Sequence, residues 1–184
     1  MDCMSLNEYV AAVTALVSKP VTPTELVSRI KPLKERLLAQ PELIPATFHE
    51  GLDRVAYTRN LLYADPAERF TVMAIVWGAG KGTPVHDHAT WGVVGCYGET
   101  VSVVNYDPAD EHGVLRPHAK STLPSGQVVT VTPPRLENIH QMMNECDRPA
   151  ISIHTYGDPA RLCRVYDPKT GRHNDCELSF HHGL

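Results

Sequence analysis

Two histidines separated by one residue could hold a metal ion between them, and a third histidine lies downstream. His86-Asp87-His88 separates two imidazoles by one residue, so on a β-strand both rings share one face and Asp87 takes the other. The alternative is a pair of surface histidines. The Gly-rich turn over residues 78–82 and the apolar segment after the pair favour a barrel interior. His140 lies in similar surroundings downstream, although by itself it is typical of a hydrogen-bonded core histidine.

A second polar group follows on a segment with strand character. Ser152-Ile-His154-Thr-Tyr156 alternates, so the three polar side chains share one face of a strand. Polar side chains inside a β body must be hydrogen-bonded or take part in function. The stripe is therefore either a structural hydrogen-bond network or part of a site.

The first 45 residues have helical character. Ser5 and Thr22 each precede a Glu by three residues, which predicts two capped helix starts. Pro32 interrupts the apolar pattern from Leu26 to Leu38, so that segment is two short helices or one kinked helix.

From about Val55 the pattern changes to short β-branched and apolar runs, each bounded by Gly, Pro, Asp or Asn. Many short strands with such turns predict an antiparallel sandwich or small barrel. We expect one domain over residues 1–184, with a helical region over 1–45 and a β-barrel over 55–180. The predicted strands are Phe70–Trp77, Trp91–Tyr97, Thr100–Tyr106, Gln127–Val131, Ala150–Tyr156, Arg161–Tyr166 and Asp175–Phe180.

Composition excludes several classes of protein. The chain has 184 residues, 21% of them charged, and a net charge of −4, so no basic surplus points to nucleic acid. Its five cysteines are odd in number and include no CxxC pair, which argues against a disulfide scaffold. No apolar run is long enough to cross a membrane, and the N-terminus lacks a basic signal region, so we expect a cytoplasmic protein.

The ordered motifs resemble those of cysteine dioxygenase and the bacterial thiol dioxygenases, within the cupin superfamily. The resemblance runs from about Tyr57 to Phe180, and its most specific part is Ser-x-His-x-Tyr after the third histidine. The matching segments are Tyr57-Thr-Arg59-Asn60, Trp77-Gly78, His86-Asp-His88, His140, Ser152-x-His154-x-Tyr156 and Cys163-Arg-Val-Tyr-Asp-Pro-Lys-Thr-Gly171.

The resemblance implies a mainly β cupin barrel, a double-stranded β-helix or jelly roll, with one mononuclear non-haem Fe(II). Its ligands would be His86, His88 and His140. A small thiol and O2 would react there, and both oxygen atoms would end on sulfur as a sulfinic acid. Three neutral imidazoles suit this metal and leave positions open for the substrate and O2.

The resemblance also implies roles for residues around the metal. Ser152, His154 and Tyr156 would form the outer triad, with Tyr156 as hydrogen-bond donor. The substrate-binding residues would be Arg59, which would bind the substrate carboxylate, Tyr57 beside it, and Trp77 and Ile75 in the pocket wall.

The sequence departs from related patterns in two places. Residues 89–92 contain no acid, whereas other metal cupins carry a Glu ligand after the histidine pair. The animal enzymes carry a Cys that crosslinks to the active-site Tyr, but Gly92 or Val93 stands here, so we predict no crosslink on Tyr156. Cys96 is too far along the strand to replace that crosslinking Cys.

Cys163 matches a family cysteine near the pocket. The alternative is that it is a buried, inert cysteine.

The leading hypothesis is an iron-dependent dioxygenase of L-cysteine that acts as a monomer. Some bacterial relatives that prefer 3-mercaptopropionate have Gln in place of Arg59, so Arg59 favours cysteine, with 3-mercaptopropionate and mercaptosuccinate as alternatives. A different metal cupin, such as an isomerase or a ring dioxygenase, and a non-enzymatic metal-binding cupin are the other hypotheses.

Overall fold

The computed structural model describes residues 2–50, 52–157, 162–177 and 179–181, which form two α-helices, eleven strands and two short 3-10 helices, Ala46–His49 and Arg135–Glu137. The helices are α1, Leu6–Val17, and α2, Pro23–Leu38. The strands are β1 Tyr57–Ala64, β2 Phe70–Trp77, β3 Val85–His86, β4 Gly92–Cys96, β5 Val101–Tyr106, β6 Pro117–Leu123, β7 Val128–Val131, β8 His140–Met143, β9 Ala150–Gly157, β10 Leu162–Tyr166 and β11 His173–Glu177. Arg161, Leu178 and residues 182–184, which the predicted strands or domain include, lie outside the described residues.

All strand pairs are antiparallel and belong to two sheets. Sheet A has the order β1-β2-β9-β4-β7, and sheet B has the order β11-β10-β3-β8-β5-β6. Apolar side chains from both sheets share one core, for example Ile75 from sheet A with Val103 and Met142 from sheet B. The predicted class, mainly β with a helical N-terminal region, is confirmed.

Strand β2 is buried on both faces and therefore reads as a continuous apolar run. Its even-numbered side chains, such as Val72 and Ala74, pack in the core that the helices share, while Met73 and Ile75 face the space between the sheets. This division follows from the two-residue period of a strand. One strand thus connects the helical region to the interior of the barrel.

Strand β9 lies between β2 and β4 in sheet A and has the same two-sided burial. Ile153 packs in the core beneath the helices, and Thr155 is bonded to residues of α1 and α2. Ser152, His154 and Tyr156 alternate with them, and each is almost fully buried. The alternation predicted from the sequence is therefore the arrangement found.

Helix α2 runs unbroken through Pro32, which settles the alternative that the sequence left open. Pro32 lies on the exposed face of the helix, while Leu26, Ile30 and Leu37 are buried against the barrel. A proline inside a helix costs about 3 kcal/mol through its missing N–H and its ring. Burial of the opposite face, at about 1.5–3 kcal/mol for each large apolar side chain, is sufficient to offset that cost.

A buried lysine joins α2 to β9. The Nζ atom of Lys34 donates to Thr155 Oγ1 at 2.7 Å and to the Ile153 carbonyl at 3.3 Å, and it lies over the Tyr9 ring. The Tyr9 hydroxyl lies 2.8 Å from the same Thr155 oxygen. Among the described residues no carboxylate pairs with Lys34, so burial holds its pKa well below the ordinary value.

This burial predicts a pH-dependent contribution to stability. The unfolded chain keeps Lys34 protonated up to a pKa of about 10.4, whereas the folded chain holds it neutral at lower pH, so the unfolded state binds more protons. The free energy of unfolding should therefore rise relative to Lys34→Met, by up to about 1.4 kcal/mol per pH unit, in the range between the lowered pKa of the folded protein and about pH 10. Urea denaturation of both proteins across that range measures the difference.

Lys31→Met is the matched control because Lys31 lies on the same helix in a partly exposed ion pair with Glu35. That variant should keep the pH slope of the wild type. A wild type whose slope equals that of Lys34→Met would show that Lys34 is protonated in the folded protein.

Candidate functional site

The two sheets bring two groups of polar side chains to opposite sides of one cavity of about 100 Å³. His86 and His140 are direct partners across β3 and β8 in sheet B. His154 and Tyr156 come from β9 in sheet A. The site is therefore built between the sheets and not within a single motif.

The three histidines predicted as ligands converge. The ring centroids of His86 and His140 are 4.5 Å apart. The ring centroid of His88 lies 4.9 Å from that of His86 and 5.1 Å from that of His140. One nitrogen from each ring lies within 4.8 Å of the others. His88 reaches the cluster from the segment after β3, since that strand ends at His86.

Backbone carbonyls fix the orientation of two of these rings. Nδ1 of His86 lies 3.0 Å from the Pro84 carbonyl, and Nδ1 of His140 lies 2.8 Å from the Asn138 carbonyl. A carbonyl only accepts, so each Nδ1 carries the hydrogen and each Nε2 presents a lone pair. This tautomer leaves Nε2 free to bind a metal ion.

The electrostatics of the cluster keep the imidazoles neutral. Burial, with added repulsion from His140, lowers the pKa of His86 to about 3. Burial also lowers the pKa of His140, and it holds the pKa of His88 well below the ordinary value together with its two histidine neighbours. Neutral imidazoles at physiological pH are the metal-binding form.

The donor set suits a divalent transition metal. Within the described residues the cluster contains three histidines and no carboxylate or thiolate, so a bound ion would keep its full positive charge. Three imidazoles satisfy half of an octahedral shell and leave positions for further ligands. The residues present therefore fit the metal that the resemblance implies.

A directed chain of hydrogen bonds runs along β9 toward this cluster. The Trp77 indole N–H can only donate, and it donates to Ser152 Oγ at 2.9 Å. Ser152 Oγ lies 2.7 Å from His154 Nε2, and His154 Nδ1 lies 3.0 Å from the Tyr156 hydroxyl. Burial keeps His154 neutral by holding its pKa well below the usual range. In the tautomer in which Ser152 donates to Nε2, the Nδ1–H of His154 donates to the tyrosine oxygen.

This direction leaves the hydrogen of Tyr156 free to point toward the histidines. Its oxygen is 3.3 Å from His88 Nε2, and its ring stacks on that imidazole with centroids 4.5 Å apart. Burial raises the pKa of Tyr156, so the phenol remains protonated. The arrangement presents a neutral hydrogen-bond donor beside the histidine cluster.

Gly92 on β4 lies directly opposite Tyr156 in the sheet. A Cβ atom at Gly92 would lie 2.5 Å from Tyr156 Cε1, so the tyrosine ring occupies the space that a side chain would need. Cys96 is at the other end of β4, opposite Ser152. The absence of a crosslink on Tyr156 stays a prediction.

The four predicted substrate residues line the same cavity. Tyr57 is paired with Trp77, and Arg59 with Ile75, across β1 and β2. Arg59 donates to the Tyr57 hydroxyl at 3.0 Å and to the Ser179 carbonyl at 3.2 Å. Within the described part of the chain these acceptors are uncharged, so the guanidinium remains available to an anion.

Asp87 has a structural role that the spacing of the motif only partly indicated. It points away from the histidines, as predicted, and is fully buried. Its carboxylate accepts hydrogen bonds from Arg135 Nη1 at 2.7 Å, Tyr166 Oη at 2.6 Å and the Arg164 backbone N–H at 3.1 Å. An acid placed between two inward-facing residues must find donors when it is buried. These bonds hold the backbone that carries His86 and His88.

Comparison with known proteins identifies related sequences. The family model described as cysteine dioxygenase type I matches residues 12–169. Cysteine dioxygenase type 1 from Danio rerio is 30% identical over 138 residues, and the one from Homo sapiens is 27% identical over 138 residues. In both cases the alignment covers 70% of this chain and 64% of the relative.

Among solved structures, a protein with a double-stranded β-helix domain from Klebsiella pneumoniae is similar at a TM-score of 0.43 and 13% identity. That similarity covers 68% of this chain and 88% of the other. The likeness is too distant to add to the evidence from the sheets and the family model. Those two observations support the cupin fold expected from the resemblance.

Metal binding should depend on the histidine cluster. We expect Zn(II), used as a redox-inert probe, and Fe(II) under anaerobic conditions to bind and raise the free energy of unfolding by about 2.7 kcal/mol at 100 times Kd. His140→Ala should lose this stabilisation because one of three imidazoles is removed. Calorimetric titration and thermal unfolding measure both effects.

His118→Ala provides the matched control, since His118 is an exposed histidine of β6. It should bind metal as the wild type does. Equal metal affinity in His140→Ala and the wild type would place the binding site elsewhere.

Proposed function

The chain belongs to the cysteine dioxygenase type I family, and on that premise we propose that it is a non-haem iron thiol dioxygenase acting on L-cysteine. The reaction would join one thiol and one O2, with both oxygen atoms transferred to sulfur to give the sulfinic acid. The observation that carries the proposal is that a cluster of three neutral imidazoles adjoins one cavity, which His86, His88, a protonated Tyr156 and an available Arg59 line. The alignment spans 64% of the length of the curated relatives, so the activity itself remains part of the proposal.

A ferrous ion held by His86, His88 and His140 would supply open coordination positions for a thiol and for O2. Binding to the metal would lower the pKa of the thiol, so a strong protein base would be unnecessary. The remaining steps depend on side chains of this chain.

Arg59 and Tyr57 would bind the substrate carboxylate. The guanidinium is a planar donor that suits a carboxylate, and the Tyr57 hydroxyl that it contacts fixes its position. The cation lies over the Tyr57 ring at 5.2 Å, which further restricts its movement. This contact would hold the carboxylate on the Arg59 side of the cavity and leave the sulfur directed toward the histidine cluster.

Tyr156 would stabilise negative charge that develops as oxygen is transferred. The hydrogen-bond chain through Ser152 and His154 fixes its orientation before substrate binds, so little reorganisation is required during the reaction. Met73 and Met142 in the cavity wall exclude water and make such a hydrogen bond stronger.

The charge of the cavity bears on the alternative thiols. Among the described residues that line it, Arg59 is the only cationic side chain, because the histidines are neutral. Mercaptosuccinate has two carboxylates, and its second carboxylate would lie without a fixed cationic partner. L-cysteine and 3-mercaptopropionate each have one carboxylate, and the family pattern around Arg59 favours cysteine.

The other functional hypotheses have less support. Other metal cupins carry a carboxylate ligand, and the described cluster contains histidines alone. A metal-binding protein without activity would not need the oriented Tyr156.

No helix in the described part of the chain is long and apolar enough to span a membrane. A cytoplasmic location and a monomeric state are part of the proposal.

A panel of thiols tests the activity. Iron-loaded protein should consume one O2 for each L-cysteine and form the sulfinic acid, as measured with an oxygen electrode and mass spectrometry. His86→Ala should lose iron and activity together. Tight iron binding without thiol-dependent O2 uptake would instead identify a non-enzymatic metal-binding protein.

Arg59→Gln tests the substrate contact. Loss of a charge-assisted hydrogen bond, at about 1.5–3 kcal/mol, should lower kcat/KM for L-cysteine and 3-mercaptopropionate by roughly 10- to 100-fold, mainly through KM. Cysteamine, which lacks a carboxylate, is the control and should bind equally to both proteins. An unchanged KM for both carboxylate thiols would show that another group binds the carboxylate.

A further inference from the structure

Two cysteines face each other in the wall of the cavity. Cys163 on β10 and Cys176 on β11 are direct partners in the antiparallel register, and both line the cavity. Both thiols are free, and Cys163 Sγ lies 3.6 Å from the Cys176 carbonyl oxygen. Directly opposed residues in an antiparallel pair place their side chains on the same face of the sheet. The function proposed above uses neither thiol.

We propose that Cys163 and Cys176 are a redox modification site, forming a reversible disulfide in the cavity wall. Opposed residues in an antiparallel pair have Cα atoms about 4.5 or 5.5 Å apart. Disulfides are found at Cα separations of about 4.4–6.8 Å, so the register already satisfies this requirement. The bond therefore needs rotation of two side chains and no rearrangement of the sheet.

The exposure of the two thiols sets the order of reaction. Cys176 is half-buried at the edge strand of sheet B, whereas Cys163 is only 4% exposed. Burial also raises the pKa of Cys163 to about 11, which makes its thiol unreactive toward reagents in solution. Cys176 is therefore the thiol that an oxidant reaches first.

A low-molecular-weight disulfide is a sufficient oxidant. The Cys176 thiolate attacks one of its sulfurs, the S–S bond breaks, and the released thiolate takes up a proton. Cys163 then loses its proton to water and attacks the Cys176 sulfur, which expels the second small thiol. Two protein thiols are oxidised, and one small disulfide is reduced to two thiols.

The location of Cys163 connects this bond to the site. Its sulfur lies within electrostatic range of Arg59 and of the Tyr156 hydroxyl. Strand β10 also pairs with β3 through Val165 and His86. A disulfide would pull the Cys163 sulfur toward β11 and change the wall beside the carboxylate-binding end. A small displacement there should raise KM for a carboxylate thiol by about tenfold.

A second pair of neighbouring cysteines provides an internal comparison. The Cys146 sulfur is near enough to act on the pKa of Cys96, but neither residue lines the cavity. Cys146 is half-buried, as Cys176 is, and its sulfur also lies 3.6 Å from a carbonyl oxygen. It lacks a cysteine directly opposite in a strand pair. Cys146→Ser is therefore a matched control for Cys176→Ser.

The test is oxidation of the iron-loaded protein with hydroxyethyl disulfide under anaerobic conditions. Differential alkylation and peptide mapping should show loss of two thiols and a crosslink between the peptides of Cys163 and Cys176, reversed by dithiothreitol. Cys146→Ser should form the same crosslink, whereas Cys176→Ser should keep Cys163 as a free thiol. Mapping of the wild type requires no variant and is independent of any effect of substitution on folding.

Two results would overturn the proposal. One is a stable mixed disulfide at Cys176 without closure onto Cys163, and the other is oxidation that links Cys96 to Cys146 instead. The effect on KM rests on the proposed function, whereas the crosslink does not. A mapped crosslink in a protein without dioxygenase activity would thus count against the proposed function and leave the redox pair established.

Discussion

The two-sided burial of β9 is the constraint on which the rest of the site depends. A strand alternates its side chains between two faces, so a central strand with cores on both sides must satisfy two environments at once. In β9, Ile153 and Thr155 face the helices, while His154 and Tyr156 face the cavity. A shift of register by one residue would exchange the two sets. Packing of the helices and orientation of Tyr156 are therefore fixed by the same geometry.

Hydrogen bonds around the cavity hold these side chains in fixed orientations. Trp77 donates to Ser152, and the chain continues through His154 to Tyr156. Backbone carbonyls fix the tautomers of His86 and His140. Burial reinforces both arrangements because it disfavours charged imidazoles. The site thus presents lone pairs from one sheet and a hydrogen-bond donor from the other before any ligand is bound.

Elements with clear periodicity or capping signals were predictable from the sequence, and others were not. Strand β2 is a continuous apolar run, and β9 alternates as predicted. Strand β1 was missed because its buried face contains Thr58 and Asn60, which bond to the Phe48 and Ala74 carbonyls and hide the apolar alternation. The exposed β6 and the two-residue β3 carry no periodic signal, and β11 begins and ends earlier than the predicted Asp175–Phe180.

The sequence by itself determined the residue types, the local spacing and hence which side chains share a strand face. These features follow from covalent geometry and predicted the pairing of His86 with His88, the β9 stripe and the direction of Asp87 away from that pair, whereas the inclusion of His140 came from the resemblance. Only the tertiary structure decided that Arg135 and Tyr166 bond to Asp87, and that Cys163 faces Cys176. Such contacts join residues far apart in the chain. They depend on strand register and sheet packing, which are set by the core as a whole.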